Sequence, residues 1–491
     1  MSLPEPPPRV VGWLPSPIGI HVLVLSGLLV AFVLAKGPWD ADFFWHFRTG
    51  ELIATTGLFG TDPFSFTWNG RPWVLHEWLS QLAIYQLVDA FGYLGAVAVF
   101  AILPGLAYAI LAFGLARTGA RPSAVIAGTA LSALVMVPYL TIRPQVVSWV
   151  FFAVLVVALL LVRPLQAPWL LLAGPFFALW ANLHGLWVVA LGVVGVYVIL
   201  TLLGRTPMAA ARWWVVGAMA AAVASSAITP AGIEGMLYPL RYVEAGDWGL
   251  ANIVEWQSPD FHDPAHLPLL TFIVALVGVG RRNVPAWMTA FAILGVVLAL
   301  LALRNAPVAA IIGLPALVTG LSATLDESRP RSIVRSRRTA TGRRLLELAT
   351  GTVVLVAGLV LFVPRDPAAA VQATMEEHLP VQSTALLQSV RPDARVVAEY
   401  GWAGYIIGTL FPSGGSVMID GRNDMYPQAI LEEYEAIRDA DPGWEALADQ
   451  YGVDALLFPP ERAIGKGPAV GAGWCEAHRD ENEVLYLRSC P

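Results

Sequence analysis

From residue 18 to residue 363 the chain alternates long apolar runs with short polar ones. A helix crosses the hydrocarbon core of a bilayer with roughly 17–25 largely apolar residues. On that measure spans are predicted at 18–35, 93–115, 122–140, 146–163, 168–183, 186–203, 213–229, 267–280, 286–303, 306–323 and 346–363. The fifth and eighth are short, and the stretch 286–323 divides in more than one way. Beyond residue 363 the pattern changes. ARVVAEY, GSVMIDGR, ALLFP and EVLYLR read as strands, and 428–440 and 444–451 as helices. The fold class expected is therefore a polytopic α-helical membrane protein of about eleven transmembrane helices. A small C-terminal α/β domain follows, which divides the chain into 1–363 and 364–491.

The segment 36–92 is too polar for a span and too long for a turn. It reads as a first outside loop holding two short amphipathic helices, 42–54 and 76–89, that lie on the membrane. Turn chemistry at Gly57, Gly60, Asp62-Pro63 and Asn69-Gly70 joins them. Its Trp39, Phe43, Phe44, Trp45, Trp73 and Trp78 are of the type that settles at a lipid–water interface. A second long outside loop covers about 230–266.

Composition supports the membrane reading. Of 491 residues, 56% are hydrophobic and 13% charged, against about 25% charged in soluble domains. The N-terminal MSLPEPPPRVVGWLPSP has neither the basic region nor the small-residue cleavage site of a signal peptide, so span one is read as retained. With the N-terminus inside, the inside segments carry 15 arginines and the outside segments of the same region 6 Lys and Arg. That asymmetry fixes the expected orientation. The tail, with 20 acidic against 9 basic residues, then lies outside. The basic loop 324–345 reads as positive-inside anchoring on anionic lipid rather than as a nucleic-acid site. The only two cysteines, Cys475 and Cys490, both fall in the outside tail and are expected to pair, with free thiols as the alternative.

In this topology Asp40, Asp42, His46, His76, Glu77, Arg143, Asn182, His184, Glu255, Arg304 and Asn305 gather at the outside ends of the spans. Solubility in lipid does not require that; a site at the outer surface does. Asp40 and Asp42 follow span one, and a helix starting there places Asp42 and His46 on one face. These carboxylates suit a general base or a divalent metal (Mg or Mn), with N-capping of the helix as the plain alternative. His76-Glu77 opens the second helix. The H-E-x-x-H zinc pattern fails at Ser80, and Glu77 also suits a first-turn acid. Arg143 and Arg304-Asn305 suit phosphate oxygens, or else snorkel to lipid headgroups. Asn182 and His184 suit a substrate contact or a buried structural pair, and Glu255 is a further substrate-binding candidate. There is no P-loop, no dinucleotide fingerprint and no GxSxG elbow, which disfavours ATP-driven transport and nucleotide-sugar chemistry in this chain.

The runs WDADFFWHFRTGELI and TDPFSFTWNGRPWVLHEWL, with TIRPQ, WANLHG, IVEWQSPD, ALRNAP and VMIDGRNDMY, resemble a bacterial family within the GT-C superfamily of membrane glycosyltransferases. The resemblance covers essentially the whole chain. It implies inverting transfer of a sugar from a polyprenyl-phosphate carrier to an extracytoplasmic glycan, lipid or protein acceptor, at the outer face of the cytoplasmic membrane. It also implies that a first-loop carboxylate acts as base or metal ligand, which carries over to Asp40 and Asp42 alone. Of the two, Asp40 is slightly preferred as the base because it lies nearer the end of span one, where burial would raise its pKa. Two other readings stand beside it: a transporter or flippase for lipid-linked glycans, and a non-catalytic envelope assembly protein.

Overall fold

A computed structural model describes residues 16–36, 40–240, 248–249, 252–279, 284–327, 348–358, 360, 364–422 and 425–489. Among these, four helices are long and apolar enough to cross a membrane, over 17–34, 78–117, 122–139 and 303–326. Six shorter apolar helices cover 145–161, 187–202, 209–225, 264–279, 286–301 and 348–358. This is a multi-pass membrane protein. The expected fifth span, 168–183, is built differently. A 3-10 segment, Pro164–Leu172, passes into an α-helix at Ala173–Leu183. Pro168 inside the 3-10 segment removes a donor that an α-helical turn needs.

Three elements position the site. Helix α1 (Pro17–Lys36) is the first span. Helix α2 (Ala41–Thr56) starts at an Asp40 N-cap and stops at Gly57, whose φ of 87° ends helical geometry. Helix α3 (Trp78–Arg117) contains a break at Gly92, φ 70° and ψ 176°. The helix expected at 76–89 and the span expected at 93–115 are thus two helices run together across that glycine.

Helix α2 does not lie open on a surface. Its buried residues Ala41, Phe43, Trp45, His46, Thr49, Gly50 and Ile53 point around much of its circumference. One flank meets α3 and the other meets a tail helix, Ala403–Leu410. The approach to the tail helix is close. A Cβ at Gly404 would stand 2.2 Å from the Ala41 carbonyl oxygen, and one at Gly408 would stand 2.7 Å from Phe44 Cβ. Arg48 fastens the crossing by donating from Nε (2.9 Å) and Nη2 (2.6 Å) to the Gly408 carbonyl. The expectation of an interfacial helix is corrected on this point: its aromatic residues face protein on both sides.

The tail forms a five-stranded sheet of β1 (Arg395–Ala398), β2 (Ser416–Val417), β3 (Ala455–Phe458), β4 (Cys475–Arg479) and β5 (Val484–Leu487), in the order β2-β1-β3-β5-β4. β1 pairs in parallel with β2 and β3, and β5 runs antiparallel between β3 and β4. The helix Ala403–Leu410 is the crossover between β1 and β2. Strand β4 escapes sequence reading, because CEAHR carries no β-branched or aromatic residue.

The first loop completes this sheet domain. Phe66 N–H donates to the Val417 carbonyl (3.0 Å), and Val417 N–H donates to the Phe64 carbonyl (3.2 Å). Trp45, Ile53, Phe64, Trp73 and Leu75 from the loop share one hydrophobic core with the tail strands, apart from the core of the helical bundle. Each such side chain contributes on the order of 1.5–3 kcal/mol by burial. Cys475 is disulfide-bonded, and Cys490 lies outside the described residues.

Candidate functional site

Where loop, bundle and tail meet they enclose a cavity of about 420 Å³. Its wall includes the start of α2, residues 138–145, residues 253–256, Arg304, and Tyr400, Gly421 and Arg422 of the tail. Seven of the eleven clustered candidates carry acids or imidazoles, and all seven line it, as do Arg143 and Arg304.

One group is built around Arg143. Asp40 caps α2 by accepting the Asp42 N–H through Oδ1 (3.1 Å), while its Oδ2 accepts from Arg143 Nε. Asp42 Oδ1 accepts from Trp45 Nε1 (3.0 Å), and its Oδ2 lies 3.2 Å from Arg143 Nη2. Glu255 Oε1 accepts from Arg143 Nη1 (3.3 Å). Both readings of Asp40 thus hold together: it is an N-cap and it faces the cavity. Burial pushes its carboxyl above the ordinary range, against the pull of Arg143. Asp42 pairs with Arg143 and Trp45, not with His46 as the helical spacing had suggested.

His46 turns instead to a second group, built around Glu77. That carboxylate lies 3.3 Å from His184 Nε2, 3.6 Å from His76 Nε2 and 3.8 Å from His46 Nδ1. Glu77 occupies the N-cap position of α3 without capping it. Burial would raise its pKa, but the neighbouring His76, His184 and His46 rings outweigh that and hold it below the usual carboxylate range. Burial lowers His46 and His184 to about 4, with Glu77 opposing. The tautomer of His184 follows from its partners. Trp180 Nε1 donates to Ser148 Oγ (2.8 Å), Ser148 Oγ lies 2.9 Å from His184 Nδ1, and the Leu186 N–H points at the same nitrogen (3.3 Å). Nδ1 is the acceptor, so Nε2 carries the hydrogen that faces Glu77.

Two candidates are structural. Asn182 accepts from Trp78 Nε1 (2.6 Å) and donates to the Ala178 and Ile228 carbonyls, away from this cavity. Asn305 donates to the Leu298 carbonyl (3.1 Å) and tethers the turn after 286–301. Arg304 differs from Arg143. Its guanidinium stacks over Trp256 at 5.0 Å and has no ion pair or hydrogen bond among the described residues.

Sequence reading missed the tail's share. Arg422 is 3% exposed. It donates from Nε to Asp420 Oδ1 (2.7 Å) and from Nη2 to Asp420 Oδ2 (2.5 Å) and Asp62 Oδ1 (2.8 Å). Trp73, Phe64 and Trp45 surround it at 4.3, 4.9 and 5.9 Å. Gly421 brings this turn against the site, since a Cβ there would stand 2.4 Å from Asp42 Oδ1. The signal was the DGR triplet within VMIDGRNDMY, an acid and a base amid apolar strand residues. Among the described residues, three buried polar atoms of side chains on the cavity wall have no hydrogen-bond partner: Gln81 Oε1, Thr141 Oγ1 and Arg422 Nη1. Unpaired buried polar atoms are costly, and these three stand where a ligand in the cavity could meet them.

The proposed metal at Asp40 and Asp42 does not fit this arrangement. All four of their carboxylate oxygens face nitrogen donors, and Arg143 places a cation among them. Among the described residues, the only trio of potential ligands with converging atoms is His478, Asp480 and Glu483, on the tail hairpin away from the cavity.

No family model and no curated protein matches the chain. Solved structures do. The Archaeoglobus fulgidus oligosaccharyltransferase tethered to an acceptor peptide with the NVT sequon is 12% identical, with a TM-score of 0.57 over 96% of this chain and 74% of that one. The same archaeal enzyme in complex with Zn and sulfate matches at 12% identity and a TM-score of 0.54, over 90% and 68%. ArnT from Cupriavidus metallidurans bound to undecaprenyl phosphate is 14% identical, with a TM-score of 0.55 over 95% and 98%. These likenesses show the fold that the chain shares with those solved structures.

Proposed function

We propose that this chain is an integral-membrane glycosyltransferase that moves a sugar from a polyprenyl-phosphate carrier to an extracytoplasmic acceptor with inversion. The observation that carries the reading is the cavity in which Asp42 stands with Arg304, a guanidinium without an ion pair among the described residues, walled by Trp45, Trp73, Trp256 and Tyr400. Indole and phenol faces suit sugar rings, an accessible carboxylate suits a hydroxyl proton, and a guanidinium suits phosphate. The GT-C fold, shared with a protein bound to undecaprenyl phosphate and one tethered to an acceptor peptide, supports the same assignment.

In this reading an acceptor oxygen attacks the anomeric carbon and loses its proton to Asp42. The bond from that carbon to the phosphate oxygen breaks on the opposite face, and polyprenyl phosphate leaves against Arg304. Asp42 is the better base than Asp40, because its side chain is 24% exposed and that of Asp40 only 6%. Asp40 and Arg143 position it. His46, His76, Glu77, His184 and Glu255 line the rest of the substrate space. A transporter would carry its ionic groups along the spans; here they meet at one cavity shared with the tail.

The test is turnover. Purified chain in lipid, given a panel of polyprenyl-phosphate sugars and glycan, lipid and peptide acceptors, should release polyprenyl phosphate and form a product of inverted anomeric configuration. Retention of configuration, or donor binding without transfer across the panel, would overturn it.

A further inference from the structure

We propose that the Arg143 guanidinium takes the place of a divalent cation among Asp40, Asp42 and Glu255, so that removing it turns this corner of the cavity into a cation site. The three nitrogens of the guanidinium each face a different carboxylate: Nε faces Asp40, Nη2 faces Asp42 at 3.2 Å, and Nη1 faces Glu255 at 3.3 Å. The acids come from two segments far apart in the chain, and one cation gathers them. Convergent carboxylates of this kind are the hard oxygen ligands that Mg²⁺, Mn²⁺ and Ca²⁺ prefer. What they lack here is room and free lone pairs. Asp40 Oδ1 is spent on the Asp42 N–H and Asp42 Oδ1 on Trp45 Nε1, while Asp40 Oδ2, Asp42 Oδ2 and Glu255 Oε1 face Arg143.

Charge decides the matter further. Three carboxylates and one guanidinium leave a formal charge of −2, and a second cation would have to approach the first at contact distance. Arg143 does not deprotonate, so it holds the acids at every pH at which the protein folds. With Arg143 removed the formal charge becomes −3, and the space between the oxygens opens. The inference predicts that the native corner is closed to divalent cations. If the transfer reading is also right, transfer runs without them, and this second consequence alone rests on that reading.

The experiment is Mn²⁺ binding to the full-length chain in detergent, followed by electron paramagnetic resonance. Any Mn²⁺ on the tail trio is set aside by counting only binding that Asp42→Asn abolishes. Wild type should show no such binding. Arg143→Ala should gain a saturable Mn²⁺ site, and the double variant Arg143→Ala/Asp42→Asn should lose it. Arg143→Gln, which keeps amide donors for the acids, serves if the alanine variant does not fold. Asp42-dependent Mn²⁺ binding in wild type would overturn the proposal, and so would a folded Arg143 variant that gains no site. Because the readout is metal binding, the proposal can stand with no turnover observed, and turnover can be observed with the proposal failed.

Discussion

Two acid clusters line one cavity, and the groups that hold them differ. Asp40, Asp42 and Glu255 surround a guanidinium. Glu77 is surrounded by three imidazoles. A guanidinium stays charged throughout the working range of pH, whereas burial lowers the His46 and His184 rings to about 4, so that they take up charge only in acid. The arginine-held acids therefore keep a constant compensating charge beside them. The histidine-held acid sits in a network whose charge changes as soon as the rings do. Acids lining the same cavity are held by a fixed charge in one case and by titratable rings in the other.

The sharpest way to break this contrast is to remove the charge of one arginine-held acid. Asp42→Asn keeps the shape and should lower transfer by 10²–10⁴-fold, roughly 3–5 kcal/mol of barrier, while donor binding persists. Asp40→Asn should cost less, because asparagine caps a helix as well as aspartate does and the loss falls on Arg143 placement. Near-normal transfer by both variants would dismantle the site assignment. Next in size is Arg304→Ala, which should weaken donor binding and turnover together by about 2–3 kcal/mol, the worth of charged hydrogen bonds to phosphate. Unchanged affinity for polyprenyl phosphate would remove Arg304 from that role.

Much of this was legible in the chain. The apolar helices and most strands follow from apolar run lengths and strand patterning, and most of the clustered polar residues do meet at one cavity. What was not legible is how the polar residues divide. The i, i+4 spacing of Asp42 and His46 allows one face, yet Asp42 goes to Arg143 and His46 to Glu77, because α3 and the 138–145 turn supply those partners from far along the chain. The tail's contribution was hidden for the same reason. Arg422 is intelligible only once Asp62 of the first loop and Asp420 stand beside it. Asn182 and Asn305 went the other way, since their amide nitrogens turn to backbone carbonyls.

A smaller effect tests how the tail serves the arginine-held side. Gly421→Ala adds a Cβ within 2.4 Å of Asp42 Oδ1, so the turn or the carboxylate must shift. Overpacking of this kind costs about 1–3 kcal/mol. We expect transfer to fall by about tenfold with donor affinity little changed. Equal losses of turnover and folding stability, with no selective loss of transfer, would reduce the contact to packing alone.

The smallest effect tests the histidine-held side, and its sign can be worked out. Burial lowers His184 to about 4 from an ordinary 6.5, so between those values the unfolded chain binds a proton that the folded chain does not. Stability contributed by the neutral ring is full above pH 6.5 and is lost as pH falls toward 4. Between pH 7 and pH 5.5 the loss is about 1 kcal/mol for each ring held this way, His46 included. Asp40, raised by burial, works in the opposite direction, so the total slope of wild type is not diagnostic by itself. The difference between wild type and His184→Gln is. Glutamine keeps a donor for Glu77 but cannot titrate, so the variant should lose less stability over that interval than wild type. The measurement is the denaturation midpoint of both proteins in detergent at pH 7 and pH 5.5. Parallel slopes would mean that His184 titrates at its ordinary value, and the two clusters would then not differ in the way their cations imply.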